Sequence, residues 1–483
     1  MRPASGHLWW SGVCPCSGAA FVHGRPFTKK EKINYFYLCM EGEALRVHRQ
    51  PELFGVIHER RWRQGGNPEM TAQHGVGRSE SFSGFAEELF RHLPRIDQRR
   101  WAAAYVQGLL STPGKKTVRR MAAEVTDSST AAQALHQFIN SSPWEWGPIR
   151  AELMRWAAQR TRPRCWTIAP AVLPKRGAQS CGVHRRFIPH AGRTVNCQIG
   201  FGVFLSSDTE DLPVAWSMLL PDEWSDEARR LRARIPSDVT ASAEEWLLNL
   251  TDELAVHAAH GPMPVVADAT GYLDAAALIN GLSARGHDLV VAVPDNLLVL
   301  PGSHLAARQC PEAGPVAAVR LISEHERTGL IPQRVSAPAD GRPYSMGLVH
   351  LPRPRSLPGP QHTYRLFTQP DGRGRRGGLW ITNMVNQPLG DLVGLAGRRA
   401  EAAGTVGRLE RNFGLRDFEG RSFPGWHHHM TLVSAAFTYA RLTAHQDMRS
   451  INGFGSNSKT APDPYTEPWR SLGRQQTQDR QTA

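Results

Sequence analysis

The chain has 483 residues, 41% hydrophobic and 21% charged, enough to bury a full-sized core and to form two to four domain-sized units. It contains no Gly-X-Y repeat, no heptad array and no stretch near the roughly 18 apolar residues of a membrane span, which excludes the fibrous and membrane-spanning classes. Its 57 basic against 44 acidic side chains leave a net charge of +13, which points to a polyanionic partner, nucleic acid first.

Arginine supplies nearly all of that surplus. Enrichment in Arg, Ala, Gly and Pro also follows from a GC-rich genome, so the arginine preference is not by itself evidence of phosphate recognition. Seven scattered cysteines (14, 16, 39, 165, 181, 197 and 310) predict reduced thiols, not a disulfide framework. The N-terminus lacks an uninterrupted apolar segment of the secretory kind, so a cytoplasmic protein is expected, nucleoid-associated if the polyanionic partner is DNA.

Residues 1–80 show no sustained periodicity and are expected to be disordered or an over-extended reading frame, with Met70 a second plausible start. From 81 to 160 the pattern is helical: Phe85, Leu89 and Leu93 share one face, as do Trp101, Tyr105 and Leu109. Ser141-Ser-Pro143 reads as a helix start for the segment with Trp144, Trp146, Ile149, Leu153 and Trp156. This all-helical region is a candidate DNA-binding domain.

Strands are predicted at Cys165–Leu173, Val195–Leu205 and Leu212–Leu220, then a helix at 241–258 and a buried strand from Met263 to Asp268. A helix over Leu273–Ala284, closed by Gly286, precedes a strand at Asp288–Val293. A Pro-, Gly- and Arg-rich insertion at about 295–376 carries strand-like pieces near Val316–Ile322, Met346–Leu351 and Tyr364–Phe367. Leu379–Val385 resumes as a strand, and helices follow over Asp391–Phe413 and after Phe423-Pro-Gly425. The polar residues 446–483 are expected to be a disordered tail. The predicted class is α/β, a ribonuclease-H-like mixed sheet with flanking helices over 161–445, preceded by the helical region and interrupted by a β-rich insertion.

Six stretches in colinear order carry a resemblance: Pro174-Lys-Arg-Gly177 with Gly182-Val183, Asn196-Cys-Gln198, Leu220-Pro-Asp-Glu-Trp224, Val266-Ala-Asp-Ala269, Gly414-Leu-Arg-Asp-Phe-Glu-Gly-Arg-Ser422, and Gly425-Trp-His-His-His-Met-Thr-Leu432. Over residues 80–445 the chain resembles bacterial insertion-sequence transposases of the DDE type. The resemblance implies a ribonuclease-H-like core that cuts and joins double-stranded DNA with Mg2+ or Mn2+, and leaves a homodimer on the DNA ends open. Two such cations need bridging and flanking carboxylates.

By that resemblance, Asp268 is the second acid and a metal ligand; the alternative reading is a turn or helix-cap Asp. The first acid should follow a Trp-x-Ile stretch, but the chain reads Trp166-Thr-Ile-Ala169-Pro170, and no Asp or Glu occurs between Met154 and Ser207. The late Glu position falls on Ala403, with Glu401 and Glu410 as the nearby candidates. On a helix, Glu401 is about 200° away in azimuth, while Glu410 faces the same way two turns on. The expected catalytic acids are therefore Asp268, Glu401 and Glu410, an incomplete set. The competing expectation is a catalytically inactive, domesticated transposase acting as a DNA-binding regulator.

The acid-free stretch is itself basic. Arg162, Arg164, Lys175, Arg176, Arg185, Arg186 and Arg193 are expected to contact DNA phosphates if they share a face. Three consecutive histidines, 427–429, point about 100° apart on a helix and cannot chelate one ion together, so packing is the expected role. Gly372-Arg-Gly-Arg-Arg-Gly-Gly378 lacks the phosphate-loop pattern and reads as an exposed basic loop.

Overall fold

The computed structural model describes residues 81–452 apart from 240–241, 258–260, 303–313, 329–334, 337–342, 353–361 and 371–375, together with 21–22 and 25–26. The chain divides into two units, Met1–Gln73 and His74–Ala483. In the first, Phe21–Val22 pairs antiparallel with Arg25–Pro26. The other expectations for residues 1–80, for the tail beyond 452 and for most of the 372–378 loop lie outside the described residues.

Five helices open the second unit: α1 (Phe82–Phe90), α2 (Ile96–Ser111), α3 (Val118–Val125), α4 (Ala131–Asn140) and α5 (Trp146–Arg160). Ser81 caps α1 by accepting from the Gly84 amide, and Thr117 caps α3 by accepting from the Arg120 amide. The expected start at Ser141-Ser-Pro143 is displaced to Trp146. The amide of Gln98 donates to Ser142 Oγ, which ties this turn to α2 instead of capping α5. The helical region does not stand alone. Phe85 packs on Trp156 and on Tyr439 of the last helix, and these helices share one apolar core with the sheet.

The sheet contains eleven strands among the described residues. Its centre is β1 (Cys165–Pro174), antiparallel to the long β3 (Arg193–Ser206) on one side and parallel to β5 (Val265–Asp268) on the other. The outer edge of β3 carries β2 (His184–Ile188) along its first half and β4 (Asp211–Met218) along its second. Beyond β5 lies the parallel β6 (Leu289–Val293). Leaving the short β2 aside, the order is third, second, first, fourth, fifth, a mixed sheet consistent with the ribonuclease-H-like expectation.

The insertion extends this sheet. β13 (Arg376–Thr382) pairs antiparallel with β6, followed by β12 (Tyr364–Pro370), β11 (Met346–His350), β7 (Leu298–Pro301) and β8 (Val316–Ala317). A separate pair joins β9 (Val335–Ser336) to β10 (Pro343–Tyr344). The strand expected over Val316–Ile322 is corrected: after two residues the chain turns into helix α9 (Ala318–Thr328). Ala318, Leu321 and Ile322 are buried at helical, not alternating, spacing.

Helices cover both faces. On β5 and β6, Val265, Ala267, Leu289 and Val291 join the main core with Leu278, Ile279 and Leu282 of α8 (Ala275–Ala284). Their neighbours Val266, Val290 and Ala292 face the other way, onto Leu389, Leu392 and Ala396 of α10 (Leu389–Asn412). Period-2 alternation thus sends Asp268, two residues after Val266, to the α10 side. The remaining helices are α6 (Glu227–Ala233), which sequence patterning missed, α7 (Ala243–His257) and α11 (Phe423–Asn452). α11 runs seven residues past the boundary expected at 445. The described cysteines, 165, 181 and 197, are buried free thiols, and burial pushes Cys165 up to about 11 and Cys181 up to about 12.

Candidate functional site

Asp268 ends β5 where the parallel pairs Thr167↔Val266 and Ile168↔Ala267 bring Ala169 alongside it. Cys165 belongs to the α10-facing cluster, so Ala169, four residues on, shares the face of Asp268. The first and second expected acid positions are therefore neighbours on adjacent strands, but only the second holds a carboxylate.

Both oxygens of that carboxylate are engaged. Oδ1 accepts from the Thr270 amide at 3.0 Å and its hydroxyl at 2.6 Å, closing a turn, while Oδ2 accepts from Arg399 Nε at 2.7 Å. Arg399 lies on α10, with its guanidinium 6.0 Å from the Trp380 ring. Ala403 is one turn further, roughly 6 Å along the axis and within about 40° of the same azimuth. It is exposed and brings no donor.

The other acids go elsewhere. Glu401 lies on the opposite side of α10 from Arg399, and its charge acts on Asp211. Asp211 is buried at the start of β4, 3.6 Å from Arg398, whose guanidinium also donates to the Ser207 carbonyl at 2.7 Å. Burial and, less strongly, the negative charge of Glu401 raise the Asp211 carboxyl, outweighing Ser206 and Arg398. Glu410 pairs with Arg416 at 2.6 Å. It sits eleven positions beyond Arg399, roughly 16 Å along the helix, out of reach of Asp268.

A divalent cation at this sheet edge would need two or more convergent hard oxygen donors. Asp268 alone, already neutralised by a guanidinium, does not meet that requirement. No group of three His, Cys, Asp or Glu among the described residues could hold a metal ion.

The basic candidates divide. Arg164 pairs with Asp208 at 2.7 Å. Lys175 turns inward and donates to the Phe418 carbonyl at 2.9 Å, and burial lowers its ammonium to about 8 despite the nearby Asp417 and Glu419. Arg186 donates to the Gly271 carbonyl at 2.9 Å and lies over Tyr272. Arg162, Arg176, Arg185 and Arg193 are exposed, and their side chains form no ion pair or hydrogen bond with the described residues.

The histidine run is packing. His427 stacks parallel to Trp146 and Trp246, His428 stacks on Trp144 between the Ile139 and Trp144 carbonyls, and His429 bridges Tyr105 and the Gly414 carbonyl. Burial drives all three below the ordinary histidine value, His428 to about 4 and His429 to about 3. The stretch from Gly414 to Ser422 is likewise a joint. Gly414 ends α10 in the left-handed region at φ 72°, and Asp417 accepts from the Lys116 amide at 2.7 Å, fastening the helical region to the sheet unit.

Sequence reasoning missed Arg398 and Arg399. Two arginines in an exposed-looking helix carry no signal until the sheet alternation shows which carboxylates lie beneath them. A family model described as DDE superfamily endonuclease matches residues 88–339, just over half of the chain. No curated protein matches it.

Proposed function

The chain belongs to the DDE superfamily endonucleases, and from that premise we propose that it is a transposase-type, ribonuclease-H-like DNA-binding protein in which an internal cation, Arg399, has taken the place of metal at Asp268. Family membership points to double-stranded DNA as substrate and to strand cleavage as the ancestral chemistry. The observation that carries the reading is the 2.7 Å contact of Arg399 with Asp268, next to Ala169 where the family pattern expects an acid. A guanidinium stays protonated and supplies a fixed charge, but it neither lowers the pKa of a bound water nor bridges attacking and leaving oxygens. Loss of two acid positions and capture of the third is a consistent set of changes. The protein binds DNA as a regulator or as a silenced descendant of an insertion-sequence transposase.

Supercoiled plasmid incubated with purified protein and Mg2+ or Mn2+ tests this directly. The expected result is salt-sensitive binding without nicking, in wild type and in Asp268→Ala alike. Nicking by wild type that Asp268→Ala abolishes would overturn the reading and restore metal-dependent cleavage. Inverted repeats flanking the gene would mark the insertion-sequence origin.

A further inference from the structure

The acid-free stretch folds into a hairpin that the catalytic reading does not use. β2 pairs with the start of β3 through Arg185↔Asn196, Phe187↔Thr194 and Ile188↔Arg193, and Gly192, at φ 61°, closes the turn. Alternation buries His184 and Ile188 and leaves Arg185 and Phe187 pointing outward together. Phe187 is 58% exposed, and no other aromatic ring among the described residues is so open to solvent. An exposed phenyl ring contributes nothing to the core, and here it stands among cations. Arg185, Arg193 and Arg176 have no acidic partner among the described residues, and the chain holds no Asp or Glu between Met154 and Ser207.

The hairpin is anchored beside the candidate site. Arg186 donates to the carbonyl of Gly271 and lies 5.0 Å over the Tyr272 ring, three and four residues after Asp268.

We propose that this hairpin grips duplex DNA, with Phe187 inserted as a wedge between base pairs and Arg185, on the same face of β2, on a neighbouring phosphate; the proposal rests on the DNA-binding reading above. Apolar wedges of this kind unstack a base step and kink the duplex, and the lost stacking is offset by contacts that the bend permits. The spacing suits the task. Residues two apart on a strand are about 6.8 Å apart, the rise of two steps along a DNA strand. Positive charge without local counter-charge supplies the attraction, and the ring supplies what phosphate contacts cannot, a grip on the stacked bases.

The test uses the full chain and a short duplex of arbitrary sequence with donor and acceptor dyes at its ends, with and without one mismatched pair. Wild type should bind in a salt-dependent way, bend the duplex and favour the mismatched one, whose step opens more easily. Phe187→Ala should weaken binding about ten-fold and abolish the bend, and Phe187→Tyr should retain both. Arg185→Gln should lower the slope of log affinity against log salt by about 1 while the bend persists. If wild type binds DNA but Phe187→Ala bends it equally and Arg185→Gln keeps its slope, the hairpin proposal falls and the DNA-binding reading survives. If wild type binds no duplex, both fall.

Discussion

Tyr105 on α2 and His429 on α11, 324 residues apart in sequence, share a buried 2.9 Å hydrogen bond between the phenol oxygen and Nδ1. The imidazole Nε2 faces the Gly414 carbonyl at 3.0 Å, an acceptor only, so Nε2 carries the proton and Nδ1 accepts from the phenol. One contact thus joins the helical region, the last helix and the turn at the end of α10. Tyr105→Phe keeps the ring and strands a buried acceptor, so a loss of about 1–2 kcal/mol is expected, read as a lower urea midpoint with unchanged slope.

Acid should unfold the protein early. His427 and His429 are held neutral in the fold by burial, the latter titrating at about 3. An unfolded chain protonates both near pH 6.5, so below that value it binds more protons than the fold and stability drops as pH falls. The slope should approach about 2.7 kcal/mol per pH unit for two protons. Urea titrations between pH 7 and pH 5 measure it, and His429→Gln should reduce it by about half.

Lys175 acts at the other end of the scale. Its folded value of about 8 lies below that of a lysine in an unfolded chain, so the fold binds fewer protons between pH 8 and about 10.4. Stability from this group should rise with pH across that window and be flat below it. Lys175→Met should remove the rise, as measured by denaturant midpoints at pH 7.5 and pH 9.5.

Restoring donors should restore cation binding if Arg399 is the substitute. A variant combining Ala169→Asp, Ala403→Glu and Arg399→Met places new carboxylates on the faces of β1 and α10 that converge on Asp268. Calorimetry with Mn2+ should show a saturable site in this variant and none in wild type. Arg399→Met alone should bind no Mn2+ and cost about 1 kcal/mol, since the guanidinium is 36% exposed.

Gly414 tests the joint. A Cβ there would fall 2.6 Å from the Lys116 side chain, at a backbone angle of φ 72°. Gly414→Ala should destabilise by about 2 kcal/mol or more, visible as a lowered Tm, while Gly404→Ala in mid-α10, with open space around it, should be neutral or stabilising.

Much of the fold was legible in the chain because burial imprints a period. The strands at Cys165, Arg193, Asp211, Val265 and Leu289 each fall within a few residues of the apolar runs that announced them. β2 escaped because His184-Arg-Arg-Phe-Ile188 buries only its ends and shows two adjacent arginines, which no two-residue alternation produces. α9 was misread as strand because three buried residues at 318, 321 and 322 are too few to distinguish the periods before the neighbours are seen.

Composition and local order were sufficient for the class, for most of the element succession apart from β2, α6 and α9, and for the absence of any acid between Met154 and Ser207, since these are properties of the chain as written. Pairing across distance was not. Whether a charge is spent inside the molecule or left for a partner depends on which groups the sheet and helices bring within about 3 Å, and side chains 131 positions apart, such as Arg399 and Asp268, meet only when α10 crosses the end of β5. The same closure sends Lys175 inward and leaves Arg185 and Phe187 facing water, because strand parity and neighbouring helices, not residue type, set each side chain's surroundings.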